Sequence, residues 1–167
     1  MSDKNYSRVL LLCGISGSGK TTFAVKMKQE GYKHLSLDRM MWERYGQCGT
    51  DYPVDKYPEY RDETERLLRA RLIDIVSGGG KATVDFTLCK RAKRDDLRRF
   101  VTDAGVEPTL IYFEAPLEEL KRRLHMRNLN PGPDAAVVTD EMVEMYYRGF
   151  QRPDEDEHAV TVKAPSH

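Results

Sequence analysis

Gly14-Ile15-Ser16-Gly17-Ser18-Gly19-Lys20-Thr21 follow the pattern G-x-x-x-x-G-K-[ST]. Glycines at this spacing let backbone N–H groups converge on phosphate oxygens without interference from Cβ atoms. Lys20 is expected to reach the β- and γ-phosphates, and the Thr21 hydroxyl to coordinate Mg²⁺. Ser16, Ser18 and Thr22 complete the expected nucleotide-binding set with Gly14, Gly17, Gly19, Lys20 and Thr21. Such a loop works between a strand and a helix, whose N-terminus adds partial positive charge at the phosphates. Residues 8–13 are an apolar run that reads as a buried parallel strand, and residues 21–30 read as the helix. The expected ligand is a nucleoside triphosphate.

Other residues have types suited to moving a phosphoryl group. Asp38 directly follows a second expected strand at 34–37 and would point into the crevice beside the γ-phosphate. There a carboxylate can hold the acceptor, orient its hydroxyl and take its proton. An N-cap for the next helix is the structural alternative. Asp85 closes the apolar run Ala82-Thr83-Val84 and would sit near Mg²⁺, directly or through water, or hold the acceptor. A structural strand-end Asp is the alternative. Glu114 also ends a strand, but Pro116 and a new helix follow it closely, which suits a turn residue better.

Arg123 and Arg127 are four positions apart, so they project from one side of a helix leading into a loop. They can deliver cations that follow the migrating charge. Lys90-Arg91-Ala92-Lys93-Arg94 opens the helix after Asp85, which makes Arg91 a candidate acceptor contact. Asp95 and Asp96 neutralise that cluster locally, so a solvated charged face is the competing reading. Trp42, Tyr45, Tyr52, Tyr57 and Tyr60 surround the loop after Asp38. They fit an acceptor pocket and a packed lid equally well. His34, His125, His158 and His167 show no triad or metal pattern.

Positioning these groups requires alternating strands and helices. Short helix 38–45 is followed by a loop or lid at 46–58, rich in Gly, Pro and Tyr. A long helix at 59–77 carries Leu68, Leu72 and Val76 at i+4, supported by Asp62–Arg66 and Glu65–Arg69 pairs. Strands at 81–86 and 109–113 alternate with helices at 91–104 and 117–128. A mobile connection is expected at 130–134, then a helix at 139–150 with Thr139 as N-cap, and a weak strand at 158–163. The expected architecture is α/β: a three-layer P-loop NTPase fold in one domain over 1–167, a five-stranded parallel sheet with helices on both faces and a kinase-like lid.

Formal net charge is zero with 32% charged residues, so no global drive toward nucleic acid or membrane exists. Three cysteines without metal-ligand spacing read as reduced thiols. No apolar stretch approaches a membrane span, and the first residues lack a signal-peptide layout; a cytoplasmic location is expected. The lack of an N-K-x-D tetrapeptide argues against a switch GTPase, and 167 residues argue against a AAA machine.

Together these landmarks resemble the small P-loop kinases of the polynucleotide-kinase and zeta-toxin-like group, many of them known only as AAA-type ATP-binding proteins. The resemblance runs from Val9 to about Pro153 through the P-loop, Asp38, V-D-F at 84–86, K-R-A-K-R-D at 90–95 and A-P-L-E-E-L-K-R-R-L-H-M-R-N at 115–128. It implies ATP as the nucleotide, Asp38 as general base, Asp85 at the acceptor, and Arg123 and Arg127 on the nucleotide phosphates. Polynucleotide kinases carry Arg three positions after the base, where this chain has Met41; Arg39 and Arg44 are the nearby substitutes. The expected function is therefore an ATP-dependent phosphotransferase acting on a hydroxyl of a small molecule. A polynucleotide 5′-hydroxyl kinase and a nucleotide-dependent ATPase or switch acting on a protein partner are the alternatives.

Overall fold

The computed structural model of the chain describes residues 5–86, 88–130 and 137–164. From Pro131 onward, the connection expected at 130–134 lies outside the described residues, as does His167. Strands β1 (Val9–Cys13), β2 (Tyr32–Ser36), β3 (Lys81–Asp85), β4 (Thr109–Glu114) and β5 (Val160–Lys163) form one sheet in the order β2-β3-β1-β4-β5. All four pairings are parallel. Helices α1 (Lys20–Met27), α2 (Leu37–Tyr45), α3 (Tyr57–Ser77), α4 (Arg91–Asp103), α5 (Leu117–Asn128) and α6 (Asp140–Gly149) surround it. This is the three-layer α/β arrangement that the alternating elements imply.

Strand β1 shows why both faces are covered. Val9, Leu11 and Cys13 pack with Leu68, Leu72 and Val76 of α3 and Leu97 and Val101 of α4. Leu10 and Leu12 point the other way, against Ala24 of α1 and Ile111 of β4. Each buried leucine contributes about 1.5–3 kcal/mol. A third cluster joins Ile15 of the phosphate loop to Leu120 and Leu124 of α5 and Val143 of α6, so the loop rests on packed helices.

Three local results differ from the sequence reading. Strand β2 ends at Ser36 and α2 begins at Leu37, so Asp38 is the second residue of that helix rather than its first. Ser36 is the N-cap, its hydroxyl accepting from Arg39 N at 3.2 Å, which removes the capping role considered for Asp38. Helix α3 starts at Tyr57 with Pro58 in its first turn, where the missing N–H costs nothing. Glu65–Arg69 forms at 3.1 Å, but among the described residues no ion pair joins Asp62 and Arg66.

Between α2 and α3 the chain folds into a closed turn. Gly49 N donates to Tyr52 O at 2.8 Å, and Asp51 Oδ2 accepts from Gln47 N at 2.7 Å. Tyr45 stacks on Tyr60 at 4.0 Å between centroids, with Tyr52 edge-on to Tyr60 at 5.1 Å. Packing, rather than an acceptor pocket, therefore accounts for these three tyrosines. Among the described residues no helix is long and apolar enough to cross a membrane.

Candidate active site

The phosphate loop leaves β1 and turns directly into α1. Gly14 tolerates no side chain: a Cβ there would lie 2.6 Å from Ser18 Oγ and 3.0 Å from the Phe113 carbonyl oxygen. Gly17 and Gly19 take φ of 87° and 108°, the left-handed region that L side chains avoid. Lys20 Nζ is drawn into the loop, donating to Gly14 O at 2.8 Å and Ile15 O at 3.3 Å. Burial lowers its pKa, while the Asp85 and Asp38 carboxylates pull the other way.

A crevice of about 770 Å³ opens above the loop. Ser16, Gly17, Ser18, Gly19, Thr21 and Thr22 line it together with Asp38 and Asp85. The sheet order explains the pairing. β3 lies between β1 and β2, so Asp85 has Leu12 on one side and Ser36 on the other. The start of α2 then carries Asp38 to the same end.

The two carboxylates differ in character. Burial first, and the neighbouring Asp85 charge after Lys20's opposing effect, push the Asp38 carboxyl above its ordinary value. Burial also works against ionised Asp85, but the His34 hydrogen bond, Lys20 and Thr21 outweigh it and hold this carboxyl low. His34 Nε2 and Thr21 Oγ1 both lie 3.0 Å from Asp85 Oδ2. Neighbouring carboxylates driven in opposite directions suit a proton acceptor beside a permanent anion.

Sequence reasoning passed over His34, because nothing in one strand's sequence says which strand will lie beside it. Its side chain is 3% exposed, and with the proton on Nε2 it fixes the Asp85 carboxylate. His34→Ala is expected to raise the Mg²⁺ concentration needed for half-maximal ATP binding about tenfold, the usual scale for a partner that orients a ligand. An unchanged Mg²⁺ requirement would show that Asp85 needs no such support.

Arg122, Arg123, Met126 and Arg127 of α5 also line the crevice. Arg123 is held by Glu119 Oε1 at 2.8 Å and donates to Gly17 O at 3.1 Å, joining α5 to the loop. Arg122 binds Glu119 as well, and the Glu119 carboxyl is pulled down to about 2 by Arg122 and then Arg123. Lys26 and residues 162–164 extend the lining beyond the loop and were not singled out from sequence.

Two positions fall outside the crevice lining. Arg91 is bound by Asp95, Asp154 and Asp156, with two contacts to Asp156 at 2.8 Å. The reading of Arg91 as an acceptor contact is corrected accordingly: its charge is already met by carboxylates of α4 and of the 154–156 segment. Glu114 is the last residue of β4, in register with Lys163 of β5, and it faces Arg152 at 3.9 Å, so the turn reading of this position is corrected to a strand end.

The donor set suits Mg²⁺. A hydroxyl and a carboxylate oxygen 3.0 Å apart at the phosphate loop are hard ligands of the kind Mg²⁺ uses alongside nucleotide phosphates and water. Among the described residues no group of three or more His, Cys, Asp or Glu could hold a metal by itself. A Mg²⁺ ion here would rely on the nucleotide.

Comparison with known proteins agrees with this geometry. A family model described as an AAA domain matches residues 9–153. No curated protein sequence matches. A chain of the Pnkp1/Rnl/Hen1 RNA repair complex is similar in fold, with TM-score 0.70 and 18% identity over 89% of this chain and 45% of that one. The present chain thus spans less than half of that protein. A gluconokinase from Sinorhizobium meliloti 1021 has TM-score 0.63 and 17% identity, covering 95% of this chain and 83% of its own. A shikimate kinase from Bacteroides thetaiotaomicron has TM-score 0.57 and 15% identity, covering 84% and 76%. At such identities the likeness is one of fold, the P-loop kinase fold.

Proposed function

The chain belongs to the AAA domain family, and from that premise we propose that it is an ATP-dependent kinase acting on a hydroxyl group of a small molecule. The observation that carries this reading is the placing of Asp38 and Asp85 in one crevice with the phosphate loop. A nucleotide-binding module needs the loop alone, whereas transfer to an alcohol also needs a proton acceptor beside it.

In this reading the loop amides and Lys20 hold the ATP phosphates. Asp38 orients the acceptor hydroxyl and takes its proton as the oxygen bonds to the γ-phosphorus. The bond from the γ-phosphorus to the β,γ-bridging oxygen breaks, and ADP leaves. Thr21 and Asp85 would hold Mg²⁺, which supplies positive charge for the phosphate oxygens. Arg123 and Arg127, on the α5 wall, meet the charge that builds on the transferring group. A small acceptor is favoured because Met41 is buried in the core, so the position three residues after Asp38 presents no cation to a nucleic-acid phosphate.

The likeness to the RNA-repair chain favours a second reading, a polynucleotide 5′-hydroxyl as acceptor. One assay separates them: γ-labelled ATP and Mg²⁺ with 5′-hydroxyl oligonucleotides in one set and pooled small alcohols in another. Label in the alcohols is the expected result, and label in the oligonucleotides would move the assignment to the second reading. ATP hydrolysis with neither set labelled would replace the kinase reading by an ATPase acting on a protein partner.

The same assay has an expected pH dependence. Asp38 must be ionised to accept a proton, and its carboxyl is raised above the ordinary 3.8. The acid limb of kcat/KM should therefore lie above pH 3.8, with activity falling as the pH drops through it. A limb at or below the ordinary value would remove Asp38 as the base.

A further inference from the structure

Two glutamates at the start of α5 have opposite surroundings. Glu118 and Glu119 both lie in its first turn, where negative charge suits the helix dipole. Glu118 is 86% exposed, and its ion pair with Lys121 is long at 3.8 Å. Glu119 is 11% exposed and binds two arginines of the crevice lining. Its Oε1 accepts from Arg122 Nη2 at 2.7 Å and from Arg123 Nε at 2.8 Å, and its Oε2 accepts from Arg122 Nε at 2.9 Å. Glu119 itself is not among the residues that line the crevice.

Ion pairs three and four positions apart on a helix are ordinary and worth little to stability. This one extends beyond the helix. The other end of the Arg123 fork, Nη1, donates to Gly17 O in the phosphate loop at 3.1 Å. A Cβ built on Gly19 would lie 3.7 Å from the same Nη1, so the guanidinium stands over the turn that delivers Lys20. Two of the three guanidinium nitrogens are thus anchored by the protein's own atoms. Among the described residues Nη2 makes no hydrogen bond, which leaves one edge of the fork for a ligand.

Building on the kinase reading, in which Arg123 meets the charge on the transferring group, we propose that Glu119 is the positioning residue for that step. By holding Arg123 Nε it fixes the guanidinium at the phosphate loop, so the fork is already oriented as charge builds on the γ-phosphoryl. A carboxylate is needed for this. Glutamine keeps the shape but has one accepting oxygen, and its NH₂ would face N–H donors of the arginines. Glu119 also sets a negative charge beside two cations of a polyanion site, so tighter nucleotide binding is not what it contributes.

The test separates turnover from binding. γ-Labelled ATP, Mg²⁺ and pooled small alcohols are incubated with each variant, label is counted both in the alcohols and as inorganic phosphate, and ADP affinity is measured alongside. Glu119→Gln should lower kcat about ten- to a hundredfold, the scale for a displaced catalytic group, with ADP bound as tightly as by the parent or more so. Glu118→Gln, which removes a charge from the same turn, should match the parent. Arg123→Gln should lose at least as much as Glu119→Gln, and the double variant no more than Arg123→Gln alone. Parent-like turnover in Glu119→Gln, an equal loss in Glu118→Gln, or losses that multiply in the double variant would overturn the proposal. So would an ADP affinity that falls in step with kcat, the mark of a residue that only keeps α5 folded. Label released solely as inorganic phosphate, with the expected pattern among the variants, would uphold Glu119 and remove the alcohol-kinase reading instead.

Discussion

Asp38→Asn is expected to reduce phosphoryl transfer about 10²- to 10⁴-fold, the range for losing a general base, with ATP affinity nearly unchanged. The substitution keeps the shape of the side chain and the crevice wall while removing the proton acceptor. Folding should not suffer. Among the described residues the Asp38 side chain makes no hydrogen bond, and Ser36 already caps α2. The sign of the linkage points the same way. Its carboxyl is raised above the 3.8 of an ordinary aspartate, so the folded protein binds this proton more tightly than the unfolded chain does. Stability from this site therefore falls as pH rises above 3.8, and at neutral pH ionised Asp38 is a net cost. The Asn variant should melt at the same temperature as the parent or higher. Loss of transfer with unchanged melting identifies a residue kept for chemistry. A lowered melting temperature, or transfer at the parent rate, would refute that role.

The donor half of the site was legible because its chemistry is local. The phosphate loop, the strand before it and the helix after it lie within residues 9–27, and the glycines have to be glycines for reasons of backbone geometry. Arg123 and Arg127 were legible through helical spacing alone. Asp38 was placed in the helix it occupies but one position early, because Leu37 reads as a strand residue until Ser36 is known to cap. What could not be read depended on distant partners. His34 matters only because β2 pairs with β3, and no feature of either strand dictates that neighbour. Arg91 looked available because the carboxylates that engage it, Asp154 and Asp156, are more than sixty positions away. The basic run at 90–94 concealed the largest surprise, since a charge run usually marks a solvated face and here hides a buried ion pair.

That pair is Arg94 with Glu157, each 2% exposed at the side chain. Arg94 Nε donates to Glu157 Oε1 at 2.6 Å, and the second guanidinium arm reaches Oε2 at 3.2 Å. A third donor, Nη1, is bound to the Leu88 carbonyl at 2.9 Å. Glu157 Oε2 also accepts from Asp154 N at 2.8 Å, closing the 3₁₀ turn at Glu155–Glu157. Glu157→Ala leaves an arginine in the core without a counter-charge, and breaking a buried pair in this way costs about 3–5 kcal/mol. For a chain of this size, that corresponds to a melting temperature lower by on the order of 10 °C. The damage should reach the active site. Leu88 sits at φ 50°, an unfavourable conformation for leucine, just beyond Asp85, and its carbonyl is held by Arg94 and by the Cys13 thiol at 3.4 Å. Releasing Arg94 removes one of the two restraints on that segment. Acid should act similarly. Burial opposes ionised Glu157, but the Arg94 hydrogen bonds outweigh it and hold the carboxyl below its ordinary 4.5, so this stabilisation is present above that pH and disappears as pH falls through the lowered value. Arg94→Met combined with Glu157→Leu should recover most of the loss, because an apolar pair of similar volume carries no desolvation cost. Thermal melts of the single and double variants decide the matter. A single variant that melts with the parent would mean that water enters the pair and that its charges are not buried in solution.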